Sequence, residues 1–240
     1  MGAQRAWRVS RGGDVTVAIV DTGADLTHPD LEANLWTNPH EVAGNDVDDD
    51  GDGHVDDNGH GTHVAGIVAA RGDNGIGIAG VAWRARIMPV KVVDRHSDAS
   101  SSAIAGGTRY AVTHGARIIL LAMAGTEPGA FLQDAVRAAS DAGALVVCAA
   151  GNGGRDVDVQ PVYPAAFDLP HVIAVAATAR DGSLSDLSNR SARTMDIAAP
   201  GDGILSTRAG GGYERRSGSS MADGTLDLAA ALHRAREAAG

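Results

Sequence analysis

The stretch that decides the fold is Val15-Thr16-Val17-Ala18-Ile19-Val20-Asp21-Thr22-Gly23. Residues 15–20 form a short β-branched and apolar run, and the turn-forming residues 21–23 end it, which predicts a buried strand. Similar runs recur at 87–93, 116–121, 144–149 and 172–176, and they alternate with helix-like segments at 60–70, 101–114, 129–142 and 221–238. This alternation predicts an α/β fold in which helices cover both faces of a parallel sheet.

The composition is that of an ordinary globular protein. Of the 240 residues, 44% are hydrophobic and 21% are charged, which argues against a disordered chain. The longest apolar run, 118–124, is far shorter than the ~18–20 residues that a membrane span needs. Cys148 is the only cysteine, which excludes an internal disulfide. No repeat or long linker interrupts the pattern, so we expect one domain over residues 1–240. We also expect a monomer, for which the sequence offers no argument.

The negative charge of the chain is concentrated in one segment. The net charge is −10, and seven of the acidic residues lie between positions 46 and 57. Without these seven the charge would be −3, so the acidity is local. No basic cluster of the kind that binds phosphate backbones is present, and we expect no nucleic-acid partner.

Four polar side chains follow predicted strands or begin predicted helices. Asp21 ends the first strand, and Asn152 follows the strand at 144–149, so both belong to the carboxyl edge of the sheet. His60 and Ser220 open helices, where free backbone N–H groups and the positive end of the dipole favour an oxyanion. A carboxylate, an imidazole, an amide and a hydroxyl at one edge indicate nucleophilic acyl transfer.

The sequences around these four residues resemble the motifs of subtilisin-like serine proteases, the subtilases. The matching stretches are Val-Ala-Ile-Val-Asp21-Thr-Gly, His60-Gly-Thr-His-Val-Ala-Gly, Ala-Ala-Gly-Asn152 and Ser-Gly-Ser-Ser220-Met-Ala. The resemblance implies a three-layer α/β/α fold with a mostly parallel central sheet. It also implies a secreted endopeptidase that acts on proteins or peptides, although no signal sequence precedes residue 15.

The resemblance assigns a role to each residue of the site. Ser220 is the expected nucleophile, His60 the base and Asp21 the group that orients His60. The Asn152 side chain and the Ser220 backbone N–H are expected to bind the oxyanion. The expected substrate cleft consists of Ala122, Met123, Ala124, Ala150 and Gly151.

Other polar residues in these motifs have simpler explanations. His63 lies one helical turn after His60, and we expect it to pack in the core. The alternative, a zinc pair, is disfavoured because no acid follows His60 as a zincin helix requires. Ser219 occupies a motif position usually held by threonine, which favours Ser220 as the nucleophile. We expect Cys148 to be buried filler in a strand and His28 to lie at the surface or in a turn.

The acidic segment predicts a calcium site. The residues Asp46, Asp48, Asp50, Asp52 and Asp57 occupy positions 1, 3, 5, 7 and 12 of a calcium loop, with Gly51 at position 6. Without an ion, these carboxylates would repel one another. The alternative is a solvated acidic loop.

The chain departs from the subtilase pattern at several points. About fifteen to twenty family residues are absent between the acidic segment and His60, and the part after Ser220 is short. Ala124 replaces a glycine that the family has in the cleft wall. Its methyl group leaves less room for the substrate backbone at this wall. Asp223, Gly224 and Thr225 replace Ala-Pro-His; we expect Asp223 in the first turn of the last helix, where it suits the dipole but adds negative charge near the nucleophile.

Three hypotheses of function follow from these observations. The first is a serine endopeptidase. The second is a catalytically impaired subtilase-like domain, a pseudoprotease or fragment, which the altered residues after Ser220 favour. The third is an interaction module stabilised by calcium.

Overall fold

A six-stranded parallel sheet forms the centre of the protein. The computed structural model describes residues 3–8, 10–13, 15–37, 59–93 and 99–226. The strand order is β2-β1-β3-β4-β5-β6, with the strands β1 (Thr16–Asp21), β2 (Arg86–Lys91), β3 (Ile118–Leu121), β4 (Leu145–Ala149), β5 (Val172–Thr178) and β6 (Ile197–Pro200). All five neighbouring pairs are parallel, which confirms the predicted sheet.

Helices cover both faces of this sheet. The helices are α1 (Ala3–Ala6), α2 (His60–Ala69), α3 (Ser101–Thr113), α4 (Ala130–Asp141) and α5 (Ser219–Thr225). Side chains such as Ile19 and Val147 pack with α2 and α5 on one face. Ile119 and Cys148 face α3 and α4 on the other. The fold is therefore the expected three-layer α/β/α arrangement, and each fully buried Val, Leu or Ile stabilises it by about 1.5–3 kcal/mol.

The chain reverses its direction of travel across the sheet next to β1. The β1 strand pairs with β2 on one side and with β3 on the other. In open α/β sheets a crevice forms outside the carboxyl ends of the strands at such a switch point. Here those ends carry Asp21 and, directly after β3, Ala122.

The structure corrects the predicted last helix. The helix predicted over 221–238 begins earlier, at Ser219, and α5 ends at Thr225, where Leu226 has an extended ψ of 136°. Gly224 is a poor helix former, and the Thr225 hydroxyl donates to the Pro200 carbonyl (2.6 Å), which fixes the end of the helix. Positions 227–240 lie outside the described residues.

A two-stranded antiparallel hairpin, which the sequence did not predict, adjoins α2. It consists of β7 (Ile204–Thr207) and β8 (Tyr213–Arg216). Its strands are only four residues long and are mostly half-buried, so they lack the continuous apolar run that marks the central strands. Within the described ranges, no helix is long and apolar enough to cross a membrane.

Candidate active site

Asp21 lies at the carboxyl end of β1 and is only 1% exposed. The Thr22 N–H donates to its Oδ1 at 2.7 Å. The Lys91 ammonium group at the end of β2 donates to the Thr22 carbonyl at 2.9 Å, which places a positive charge beside this turn. The carboxylate is therefore held in one orientation in a low-dielectric setting.

His60 is the first residue of α2 and contacts Asp21 directly. Its Nδ1 lies 2.8 Å from Oδ1 and 2.9 Å from Oδ2 of Asp21. Since a carboxylate only accepts hydrogen bonds, Nδ1 carries the proton in this pair. In the neutral ring, Nε2 then has the lone pair that a general base needs.

Gly61 allows α2 to begin this close to β1. A Cβ at this position would lie 2.0 Å from the Gly23 carbonyl oxygen, so only glycine fits. The same approach lets the Gly61 N–H donate to Thr22 Oγ1 at 2.9 Å. The hydrogen bond between Asp21 and His60 thus depends on the absence of a side chain at Gly61, the residue after His60.

The β7–β8 hairpin holds α2 from its other side. Ser206 Oγ donates to the His63 carbonyl and Thr207 Oγ1 donates to the Thr62 carbonyl, both at 2.6 Å. His63 is completely buried, as expected, and its Nε2 lies 3.2 Å from the Glu214 carbonyl oxygen. Burial lowers the pKa of His63 to about 4, so the ring is neutral at physiological pH. Among the described residues, no group of three His, Cys, Asp or Glu side chains is arranged to hold a metal.

Ser220 is the second residue of α5 and is 6% exposed. Its hydroxyl donates to the Ala122 carbonyl oxygen at 2.8 Å. A serine hydroxyl has one proton, so this proton is directed at the cleft wall and not at His60. The structure therefore brings Asp21 and His60 together and leaves Ser220 in a resting orientation.

Asn152 and Ser219 form a second hydrogen-bonded group next to Ser220. Asn152 Oδ1 accepts from the Ser219 N–H (2.8 Å) and from Ser219 Oγ (3.0 Å). Ser219 Oγ in turn accepts from the Gly151 N–H at 3.0 Å. With its oxygen engaged in this way, Asn152 has Nδ2 as its donor group.

A cleft of about 830 Å³ opens in front of Asp21 and His60. The predicted residues Ala122, Met123 and Ala124 line it. Ala150 and Gly151 are buried beside Asn152, and they are not part of this lining. Four further residues, which no sequence motif indicated, also line the cleft: Ile104, Leu132, Tyr163 and Arg216. Ile104 and Leu132 lie in the first turns of α3 and α4. Both are apolar, so the sequence alone does not distinguish them from residues of the core.

Several other predicted residues have a definite position. Cys148 is buried, as expected, and burial is the main cause of the raised pKa of its thiol. His28 lies in a turn, one of the two expected positions, since its carbonyl accepts from the Leu31 N–H at 2.9 Å. It is not at the surface: it is 1% exposed, with Nε2 3.0 Å from the Gly212 carbonyl oxygen. Asp223 does not lie in the first turn of α5, because the helix already begins at Ser219 and makes Asp223 its fifth residue. The five predicted calcium ligands, Asp46, Asp48, Asp50, Asp52 and Asp57, lie outside the described residues.

Comparison with known proteins extends these observations to nearly the whole chain. A family model for the subtilase family matches residues 12–236. Thermitase of Thermoactinomyces vulgaris is 40% identical over 220 residues, which are 92% of this chain and 75% of that protein. The intracellular serine protease of Paenibacillus polymyxa is 39% identical over 236 residues, 96% of this chain and 69% of that protein. The major intracellular serine protease of Bacillus subtilis (strain 168) is 40% identical over 234 residues, 95% of this chain and 70% of that protein. From its motifs, its fold and these matches, the chain belongs to the subtilase family.

Proposed function

We propose that this chain is a serine endopeptidase that hydrolyses peptide bonds through an acyl-enzyme. Ser220 is the nucleophile, His60 the general base and acid, and Asp21 the residue that orients His60. The observation that carries the proposal is the hydrogen bond of 2.8 Å between His60 Nδ1 and Asp21 Oδ1 at the mouth of the cleft. Family membership supports the same reaction class.

The reaction begins with a rotation of Ser220. Its hydroxyl leaves the Ala122 carbonyl, turns to His60 and gives its proton to Nε2 as Oγ attacks the scissile carbonyl carbon. His60 then passes this proton to the leaving amine, and the acyl group remains on Oγ. A water molecule, deprotonated by His60, releases the acid and restores the hydroxyl. Asp21 stabilises the imidazolium in both halves of the reaction.

The oxyanion that forms in both halves needs donors in fixed positions. Asn152 Nδ2 and the Ser220 backbone N–H are the proposed donors. The two hydrogen bonds from Ser219 to Asn152 Oδ1 support this role, because they fix which end of the amide faces outward. Such a preorganised donor needs no reorientation when charge develops.

The proposed substrates are proteins or peptides with apolar side chains. Ile104, Met123 and Leu132 give the cleft an apolar lining on which such side chains can pack. Secretion stays a prediction, since two of the relatives are named as intracellular proteases.

We also propose that the acidic segment binds Ca²⁺. The donor set of Asp46, Asp48, Asp50, Asp52 and Asp57 consists of hard oxygen ligands at alternate positions, with Gly51 at the turn, which fits this ion. Calcium would neutralise repulsion among these carboxylates and stabilise the fold.

Labelling with a fluorophosphonate probe tests the proposed nucleophile. We expect one labelled serine per folded chain, and we expect Ser220→Ala to abolish labelling because it removes the attacking oxygen. Ser183→Ala is the control, since it removes an exposed serine hydroxyl outside the proposed site and keeps Ser220, Ser219 and Asn152. The probe is applied with and without calcium.

The outcomes separate the hypotheses of function. Labelling that survives in Ser220→Ala would identify another nucleophile. A wild-type chain that is folded by circular dichroism but not labelled would contradict the proposal and favour a catalytically impaired domain. The hydrogen bond from the Ser220 hydroxyl to the Ala122 carbonyl favours that alternative, because it directs the hydroxyl proton away from His60.

A further inference from the structure

Asp223 is a buried carboxyl group without a hydrogen-bond partner. It lies on α5, three residues after Ser220, and is 0% exposed. Neither Oδ1 nor Oδ2 has a donor among the described residues. An ionised carboxylate in this position would lose its hydration without gaining a hydrogen bond or an opposite charge, which costs several kcal/mol.

The other deeply buried carboxyl groups among the described residues, Asp30 and Asp21, do have hydrogen-bond donors. Asp30 is also 0% exposed, but it accepts hydrogen bonds from Asn74 Nδ2 (2.6 Å), the Ile78 N–H (3.0 Å) and the Tyr213 hydroxyl (3.0 Å). Asp21 accepts from the Thr22 N–H and His60. The fold thus supplies hydrogen-bond donors to the carboxyl groups of Asp21 and Asp30 and supplies none to Asp223 among the described residues.

The ionisable groups around Asp223 do not compensate a negative charge. The α5 helix packs against α2 and strands β3 to β6. Of these, β3, β5 and β6 carry no ionisable side chain, β4 carries Cys148, and α2 carries His60, which is paired with Asp21, and the neutral His63. Burial and, secondly, the negative Asp21 raise the pKa of Asp223 well above its ordinary value.

We propose that Asp223 is a neutral carboxylic acid in the folded chain and that its proton makes the docking of α5 sensitive to rising pH. The helix has little freedom to adapt. Gly224 lies so close to α2 that an added Cβ would be 2.9 Å from Ile67 Cγ2. Ionisation of Asp223 therefore favours release of the helix that carries Ser220. The inference concerns the fold and holds whether or not the chain is a protease.

The sign of the effect follows from proton binding. The unfolded chain ionises Asp223 near its ordinary pKa of 3.8, whereas the folded chain keeps the proton to a much higher pH. Between these two values the folded state binds one proton more than the unfolded state. Between these two pKa values, Asp223 therefore makes the unfolding equilibrium constant rise about tenfold per pH unit.

The test compares the unfolding of the chain with that of Asp223→Asn, which has the same shape and no ionisable group. Urea unfolding is measured at pH 5, 6, 7 and 8 at fixed calcium, with all chains carrying Ser220→Ala to prevent self-digestion. Asp141→Asn is the matched control, because this carboxyl is exposed at the end of α4.

We expect the ratio of unfolding constants, wild type over Asp223→Asn, to grow about tenfold per pH unit from pH 5 to the folded pKa. The ratio for Asp141→Asn should stay constant. A constant ratio for Asp223→Asn would overturn the proposal. If that variant does not fold, infrared spectroscopy of the unsubstituted chain at pH 6 decides: the carbonyl stretch of a protonated carboxylic acid supports the proposal, and its absence rejects it.

Discussion

At the scale of single residues, His63 shows how burial fixes a charge state. Its ring is completely buried between α2 and the hairpin, and its Nε2–H can reach the Glu214 carbonyl oxygen. Nδ1 is buried with no partner among the described residues, so a second proton would have no acceptor. The folded chain therefore holds this histidine neutral.

We predict that His63 makes the protein unstable in acid. Its pKa is 6.5 when unfolded and about 4 when folded, so the unfolded state binds more protons within this window. His63 does not lower the free energy of unfolding above about pH 6.5. As the pH falls from about 6.5 to about 4, protonation of His63 in the unfolded chain lowers the free energy of unfolding by about 3 kcal/mol. The measurement is the ratio of unfolding constants, wild type over His63→Gln, in urea between pH 4 and 7.

The control for this measurement is His171→Gln, because His171 is exposed on the surface. Its ratio should not follow pH in the same way, and a flat ratio for His63→Gln would contradict the prediction. Between about pH 4 and 6.5 the effects of His63 and Asp223 oppose each other. Each is therefore measured against its own variant and not from the wild type alone.

At the scale of elements, the start of α2 decides the geometry of the site. The helix is held at its N-terminus by Thr22 and on its flank by Ser206 and Thr207. These contacts come from the turn directly after β1 and from β7, which are far apart in the chain. The position of His60 is thus a property of three packed elements.

We predict that Gly61→Ala separates His60 from Asp21. The added methyl group cannot occupy a position 2.0 Å from the Gly23 carbonyl, so α2 has to shift. A displacement of about 1 Å at a catalytic group lowers turnover by about 10²-fold. The measurement is kcat on a peptide substrate together with the free energy of unfolding, and both should fall.

Gly106→Ala is the matched control on α3. Nothing lies within 4 Å of the added Cβ, so this change should stabilise the helix by about 0.4–1 kcal/mol and leave kcat unchanged. Equal effects of the two substitutions on kcat would show that close approach at Gly61 is not what positions His60.

The predictability of these elements from sequence differs with their burial. The ends of strands β1 to β5 were all predicted to within two residues, because both faces of these strands are covered and their apolar runs are continuous. The hairpin and the end of α5 escaped prediction, because they depend on tertiary hydrogen bonds such as that from Thr225 to Pro200.

The site was predictable where a motif carries it and not elsewhere. Asp21 and His60 follow from local sequence and lie together in the structure. The rotation of Ser220 toward Ala122 depends on a residue 98 positions away, which no local pattern indicates. Likewise, Asp223 looked like a helix-dipole residue until the packing of α5 showed it to be buried.

At the scale of the whole molecule, charge is distributed very unevenly. Seven acids lie between positions 46 and 57, and the remainder of the chain is close to neutral. Such a segment opposes a compact state unless a cation neutralises it. The stability of the entire fold is therefore expected to depend on the ionic medium.

We predict that removing calcium lowers the stability of the protein. At a free calcium concentration of 100 times the dissociation constant, binding adds about 2.7 kcal/mol. The measurement is the urea midpoint with calcium and with a chelator, for the chain and for the double variant Asp48→Asn, Asp50→Asn. The variant should lose the calcium response, and Asp141→Asn should keep it. An identical midpoint in both media would exclude a stabilising calcium site.

The position of α5 in the chain also determines when the site can exist. Asp21 and His60 are 39 residues apart, but another 160 residues separate His60 from Ser220. Since the ribosome delivers the N-terminal part first, the nascent chain contains Asp21 and His60 long before it contains Ser220, the proposed nucleophile. The helix α5 packs against β3 to β6, so Ser220 reaches the edge only when those strands are in place. Under the proposed mechanism, a nascent chain that has not yet reached α5 lacks Ser220 and cannot cleave its neighbours on the polysome.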